Sequence, residues 1–266
     1  MKKGVLIVSF GTTYKDTREK NIDRIEQAVR QEKPDCMVLQ AYSSDRVRDI
    51  IKKRDGIDIP GIKDALERMA ESGVTHLTVL PTHVIDGIEN NKMKQIIKQY
   101  RPFFQTLKTA DPLLGKEEDY GFVAKALWDS LEEEVKDGVL IFMGHGSYHE
   151  ADNCYEKMEK ALREYSGKEI YIATVEGSTS IEDVIERMNM GYEQQERKTV
   201  RVVITPFMLV AGDHAVNDMA GDEDSFLSKV KAQGYEAECI LKGLGEYEGI
   251  HLIYLQHLEK EDKDKQ

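Results

Sequence analysis

Short apolar and β-branched runs alternate along this chain with longer segments of helical period, and that alternation constrains the fold more than any other feature. Runs of the first kind lie at 5–9, 37–41, 77–80, 106–108, 139–143, 170–174, 200–205 and 237–240. Helical period marks 17–31, 62–72, 89–100, 118–134, 151–165, 181–190 and 223–233. A last amphipathic segment, 246–259, sets Ile250, Ile253, Tyr254 and His257 on one stripe, and the tail 259–266 reads as solvated charge. Strands separated by helices long enough to cross back over a sheet imply an α/β fold with parallel strands. The start, Met1-Lys2-Lys3 before Val5-Leu6-Ile7-Val8, imitates a signal peptide, but charges from Lys15 to Lys20 cut the apolar run short, so it reads as a first strand. No stretch approaches the roughly 18 apolar residues of a membrane helix.

Gly4-Val5-Leu6-Ile7 recurs as Gly138-Val139-Leu140-Ile141, an offset of 134 residues that Tyr14 and Tyr148 share. Pro81 and Gly87 match Pro206 and Gly212 at an offset of 125. Two matches in the same order on equivalent strand ends point to internal duplication. The chain is therefore expected to form two similar Rossmann-like halves, each with a four-stranded parallel sheet, facing each other across a cleft. The N-terminal half is 1–115 and the C-terminal half 116–245, with the helix in 246–266 packing back on the first half.

In open parallel sheets ligands bind beyond the carboxyl ends of the strands, so polar residues there carry the functional weight. Ser9-Phe10-Gly11-Thr12 follows the first strand and Gly144-His145-Gly146-Ser147 its counterpart. Two glycines let the backbone turn sharply and leave the His145 imidazole unshielded; a tight turn whose histidine bonds a neighbour would look the same. After the seventh strand, Asp213 is a plausible N-cap that puts His214 in a first helical turn. The 125 offset carries His214 back to Glu89, which could equally serve only its helix N-terminus through the macrodipole. Glu176 ends the sixth strand. His145, His214 and Glu176 together make a two-His, one-carboxylate set suited to a first-row divalent metal. His83 and His149 lie near these loops, as helpers or as rim residues, while His76, His251 and His257 are assigned to structure.

Net charge −12, from 37 Lys plus Arg against 49 Asp plus Glu, argues against a nucleic-acid partner. One basic cluster, Arg46, Arg48, Lys52, Lys53 and Arg54, follows the second strand. Carried on a helix, it is either a solvated face or a clamp for a polycarboxylate. Cys36, Cys154 and Cys239 are scattered and odd in number, which fits a reducing cytoplasm. No phosphate-binding glycine loop and no Gly-x-Ser-x-Gly elbow occurs.

Val5-Leu6-Ile7-Val8-Ser9-Phe10-Gly11-Thr12, Arg54-Asp55-Gly56-Ile57-Asp58-Ile59, Phe142-Met143-Gly144-His145-Gly146 and the segment from Met208 to Met219 together resemble the anaerobic cobalt chelatases, which act on sirohydrochlorin. The resemblance spans nearly the whole chain and implies the bilobed architecture of the ferrochelatases. It implies insertion of Co²⁺ into sirohydrochlorin on the oxygen-independent route to cobalamin, with cobalt as substrate metal and no organic cofactor. It places metal-binding histidines on His145 and His214 and acidic site residues on Glu176 and Glu89. Taken with the reading of the residues themselves, metal binding is expected at His145, His214 and Glu176, catalysis at His145, Glu89 and His214, and substrate contacts at Ser9, Phe10, Gly11, Thr12, Arg46 and Arg54. The expected partner is sirohydrochlorin or a related tetrapyrrole, with no nucleic acid and no membrane, and the expected location is the cytoplasm. Association into a homo-oligomer stays open, as do Ni²⁺ or Fe²⁺ in place of Co²⁺ and a carrier that binds the same ligands without turnover.

Overall fold

The structure is a computed structural model that describes residues 1–146, 153–194 and 196–263. Each expected strand forms: β1 (Lys3–Ser9), β2 (Met37–Tyr42), β3 (His76–Pro81), β4 (Thr106–Thr109), β5 (Val139–Gly144), β6 (Ile170–Thr174), β7 (Arg201–Pro206) and β8 (Glu236–Cys239). They build two four-stranded parallel sheets of one topology, β2-β1-β3-β4 and β6-β5-β7-β8. The helices are α1 (Lys15–Lys20), α2 (Ile22–Glu32), α3 (Asp45–Asp55), α4 (Ile62–Glu71), α5 (Ile88–Tyr100), α6 (Glu117–Val135), α7 (Asn153–Ser166), α8 (Ile181–Gly191), α9 (Phe226–Ala232) and α10 (Glu248–Lys263). The chain divides into two compact units, Met1–Asp119 with Ile250–Gln266, and Tyr120–Gly249.

Val5 to Val8 are all buried, because helices cover both faces of the sheet and leave no solvent side to alternate toward. On one face Leu6, Val8, Ala41 and Val79 pack with Leu66 and Met69 of α4 and Met93 and Ile97 of α5. In the second unit Ile141, Met143, Ala173 and Ile204 pack with Val184 and Met188 of α8 and Val230 of α9.

Hydrogen bonding corrects the internal match. Thr82 N–H donates to Val8 O as Phe207 N–H donates to Met143 O, and Ser43 N–H donates to Ser9 O as Val175 N–H donates to Gly144 O. Val8 thus corresponds to Met143 and Ser9 to Gly144, an offset of 135 rather than 134. The core agrees, since Leu6 and Val8 share a face as Ile141 and Met143 do. A one-residue slip would turn every side chain to the other face. Both faces are apolar here, so the hydrophobic string could not report the register. The 125 offset holds, with Asn91 N–H on Gly87 O matching Val216 N–H on Gly212 O. Tyr148 lies outside the described residues.

Three helix boundaries also differ from expectation. The segment 17–31 is broken at buried Asn21, whose Nδ2 donates to Thr17 O at 2.8 Å and competes with the backbone ladder. The segment 223–233 becomes helical only at Phe226, because Ser225 is its N-cap and accepts from Ser228 N–H at 3.0 Å. The last helix runs on to Lys263, and Lys260 pairs with Glu118.

The duplication extends to the protection of the outer strands. Arg30 Nη2 donates to Val38 O of β2 at 2.8 Å, and Arg163 Nε donates to Ile170 O of β6 at 2.5 Å. Each arginine pairs with a glutamate four residues back, Glu26 and Glu159. Side chains so occupy edge groups that would otherwise template another strand.

Candidate active site

β5 delivers the chain into Gly144-His145-Gly146, and packing dictates both glycines. A Cβ on Gly144 would stand 2.5 Å from the Tyr155 ring. Gly146 has φ +76°, and a Cβ there would stand 2.4 Å from Gly177 N. Gly146 N–H donates to the Tyr155 hydroxyl at 3.2 Å, so α7 braces the turn from beneath. The His145 side chain is left exposed.

After β7 the chain reaches His214, just ahead of a π-helical turn, Ala215–Met219, of the kind that recurs at functional sites. Buried Ala215 and Met219 fix that turn in the core of the second unit. The His145 and His214 rings meet edge to face with centroids 4.8 Å apart. His145 Nδ1 lies 2.9 Å from Gly146 O, and His214 Nδ1 lies 2.6 Å from Asp218 Oδ2. A carbonyl and a carboxylate can only accept, so both Nδ1 atoms carry the proton. With the proton on Nδ1, an imidazole in its neutral form keeps its lone pair on Nε2, which can take a metal or a proton.

Glu176 stands at the same edge. Its backbone N–H donates to His145 O at 2.8 Å, and its side chain is exposed. Among the described residues no three His, Cys, Asp or Glu side chains converge as a metal-holding group, so the structure brings two of the three expected ligands together. His149 lies outside the described residues.

The first unit carries the remaining candidates. Glu89, in the first turn of α5, is half-exposed and pairs with Lys92 at 2.7 Å. His83 is half-buried, and both its ring nitrogens are buried without a hydrogen-bond partner among the described residues. Burial pushes its pKa down, against the pull of nearby Glu89 and Asn90. Ser9 is buried and accepts from the Thr82 hydroxyl at 2.8 Å, and Thr12 is buried with its Oγ1 accepting from Tyr14 N–H at 3.3 Å. Gly11, at φ +99°, leaves room for the Tyr42 ring. Of that segment only the Phe10 side chain reaches solvent, 51% exposed. Arg54 is committed to Asp55 and to Thr13 O at 2.6 Å, whereas Arg46 is exposed with no partner among the described residues.

A family model described as cobalt chelatase (CbiK) matches residues 3–262. The chain belongs to the cobalt chelatase family. A sirohydrochlorin cobaltochelatase of Salmonella typhimurium is 33% identical over 263 residues, covering 98% of this chain and 96% of that protein. A second, of Nitratidesulfovibrio vulgaris, is 30% identical over 265 residues, covering 97% and 89%. Among solved structures, SirB from Bacillus subtilis with Fe³⁺ superimposes with a TM-score of 0.70 at 15% identity, covering 98% of this chain and 95% of that one. CbiX, the terminal enzyme of siroheme biosynthesis in denitrifying bacteria, gives 0.59 at 14% identity, covering 97% and 98%. At such identities the two structures share the fold. No described helix of this cobalt chelatase family member is long and apolar enough to cross a membrane.

Two residues at the edge escaped the sequence reading. Tyr155 leaves no local signal, since its partner Gly146 is met only in three dimensions. Asp218 does leave one: it stands four residues after His214, a spacing that puts side chains on one helical face.

Proposed function

We propose that this protein inserts Co²⁺ into sirohydrochlorin, releasing two pyrrole N–H protons for each metal ion taken up. The observation that carries the reading is the His145–His214 pair, two imidazoles with centroids 4.8 Å apart, both Nδ1 atoms tied to acceptors and neither Nε2 atom partnered among the described residues, in a chain of the cobalt chelatase family.

His145 and His214 hold the incoming Co²⁺ through Nε2, and Glu176 supplies an anionic ligand from the neighbouring strand end. As ring nitrogens replace these ligands, the His145 lone pair is released and takes a pyrrole proton, a general-base role that imidazole commonly fills. Glu89 assists removal of the second proton. Phe10 offers an exposed aromatic face to the macrocycle, and Arg46 a guanidinium, unpaired among the described residues, to its carboxylates. The net charge of −12 makes such local cations the means of holding a polycarboxylate.

Anaerobic incubation with sirohydrochlorin and Co²⁺, Ni²⁺ or Fe²⁺ in turn, followed by absorbance, tests this. The expected result is many turnovers with Co²⁺ and their loss in a folded His145→Ala variant. Binding without turnover would make the protein a carrier, and full activity in His145→Ala would sink the assignment.

A further inference from the structure

The two candidate ligands are braced by chemically different groups. His145 Nδ1 meets a backbone carbonyl, Gly146 O, at 2.9 Å, while His214 Nδ1 meets a carboxylate, Asp218 Oδ2, at 2.6 Å. We propose that Asp218 is a positioning residue that fixes the Nδ1–H tautomer of His214 and makes His214 the retained cobalt ligand, leaving His145 as the one that lets go and takes the proton. This inference rests on the reading of His214 as a cobalt ligand.

A carboxylate acceptor holds the ring in one orientation, excludes the tautomer with the proton on Nε2, and raises the donor strength of the distal nitrogen toward a metal. A peptide carbonyl performs the first two tasks but carries no net charge. The bonding of the two rings thus grades them, with His214 the firmer ligand. Asp218 is well held for the purpose. Ala215 and Met219 on either side are fully buried, Asn217 Nδ2 donates to Asp213 Oδ1 at 3.1 Å one step back along the turn, and Gly221 N–H closes the turn on Asn217 O at 3.1 Å. The Asp218 and His214 side chains are 45% and 37% exposed, and a solvent-exposed pair of this kind contributes little to stability. A purely structural role is therefore a poor reason for the pair, and the carboxylate can be removed without unfolding the unit.

The experiment is long-range ¹H–¹⁵N correlation on metal-free, ¹⁵N-histidine-labelled full-length protein, with Co²⁺ titration in the absence of tetrapyrrole. It compares the unsubstituted chain with Asp218→Ala, the near-isosteric Asp218→Asn, and His214→Ala. The unsubstituted protein is expected to show His214 as the Nδ1–H tautomer alone. Both Asp218 variants should gain the Nε2–H form at His214 while His145 keeps its own tautomer, and should bind Co²⁺ about ten- to a hundredfold more weakly. Unchanged tautomer and Co²⁺ affinity within about twofold in either folded variant, with His214→Ala still impaired, would overturn the inference. Unchanged Co²⁺ binding in His214→Ala would instead overturn the ligand reading on which it rests, while the tautomer spectra still report what Asp218 does.

Discussion

Replacing Asp119 should weaken the first unit more than its single carboxylate suggests. Asp119 Oδ1 lies 3.0 Å from His257 Nε2 of α10, and both side chains are almost wholly buried, at 1% and 2% exposure. Its Oδ2 accepts from Gly115 N–H at 3.0 Å and Lys116 N–H at 2.7 Å, covering the start of α6. His257 Nδ1 in turn faces Asp111 O at 3.3 Å, so the imidazole has an acceptor on each side. Asp119→Ala leaves a buried imidazole N–H and two backbone N–H groups without acceptors. Removing one partner of a buried pair costs about 3–5 kcal/mol, and the lost cap, about 1 kcal/mol by itself, falls within that figure because the atoms are shared. Urea denaturation at neutral pH, followed by circular dichroism, should show a loss of about 3–5 kcal/mol.

The pH dependence of that loss is a second constraint. Burial alone would raise the Asp119 pKa, but His257 and the two backbone N–H groups hold it below the ordinary carboxylate range. A carboxyl whose folded pKa is depressed contributes stability that is present above its unfolded pKa, about 3.9, and is lost as pH falls through the folded value. The gap between the native chain and Asp119→Ala should therefore persist at neutral pH and narrow once the pH drops below about 4. A loss under about 1 kcal/mol, or one undiminished in acid, would refute this account of the pair.

Two further substitutions address the edges of the sheets. Gly146→Ala adds a Cβ 2.4 Å from Gly177 N at a φ of +76°, so the turn must move and His145 with it; turnover should fall more than about tenfold with the circular dichroism spectrum retained, and wild-type turnover would show that the turn is not positioning the imidazole. Phe10→Ala removes an exposed ring that we assign to the macrocycle face; loss of about 1 kcal/mol of aromatic contact should raise KM for sirohydrochlorin about fivefold while Co²⁺ titration is unchanged, and an unchanged KM would exclude the contact.

Much of the fold was legible because strands buried on both faces announce themselves as unbroken apolar runs, Val139 to Met143 being a clear case. The same property hid the register. A run such as Gly4-Val5-Leu6-Ile7 matches Gly138-Val139-Leu140-Ile141 by eye, yet the hydrogen bonds of Val8 and Met143 set the correspondence one residue further on. Breaks depend on side-chain to backbone competition at single residues, as at Asn21, and periodicity does not register them. Of the site, His145 and His214 were readable from their places after strand ends, and the structure brings them together. Ser9 and Thr12 sit at the same kind of position but turn inward, because Ser9 ties β1 to Thr82 and Thr12 ties its own loop. Position after a strand thus nominates a residue, and which way its side chain turns is settled by neighbours distant in sequence.

With the corrected register the two units can be compared residue by residue. Phe10 stands where the second unit has His145, and Ser44 where it has Glu176, since Ser44 N–H donates to Phe10 O as Glu176 N–H donates to His145 O. Glu89 corresponds to His214 and Met93 to Asp218 at the 125 offset. The backbone bonds that close each strand end are the same in both units, whereas every side chain that bears chemistry differs. An imidazole pair of this kind needs both rings and the Asp218 carboxylate, and the first unit has none of the three at the matching positions, although Gly11 keeps the carbonyl that matches Gly146 O. It presents instead an aromatic ring and a carboxylate, groups suited to a flat macrocycle and to a proton. The duplicated scaffold therefore fixes where functional groups can stand, and a few side chains per unit decide which groups stand there.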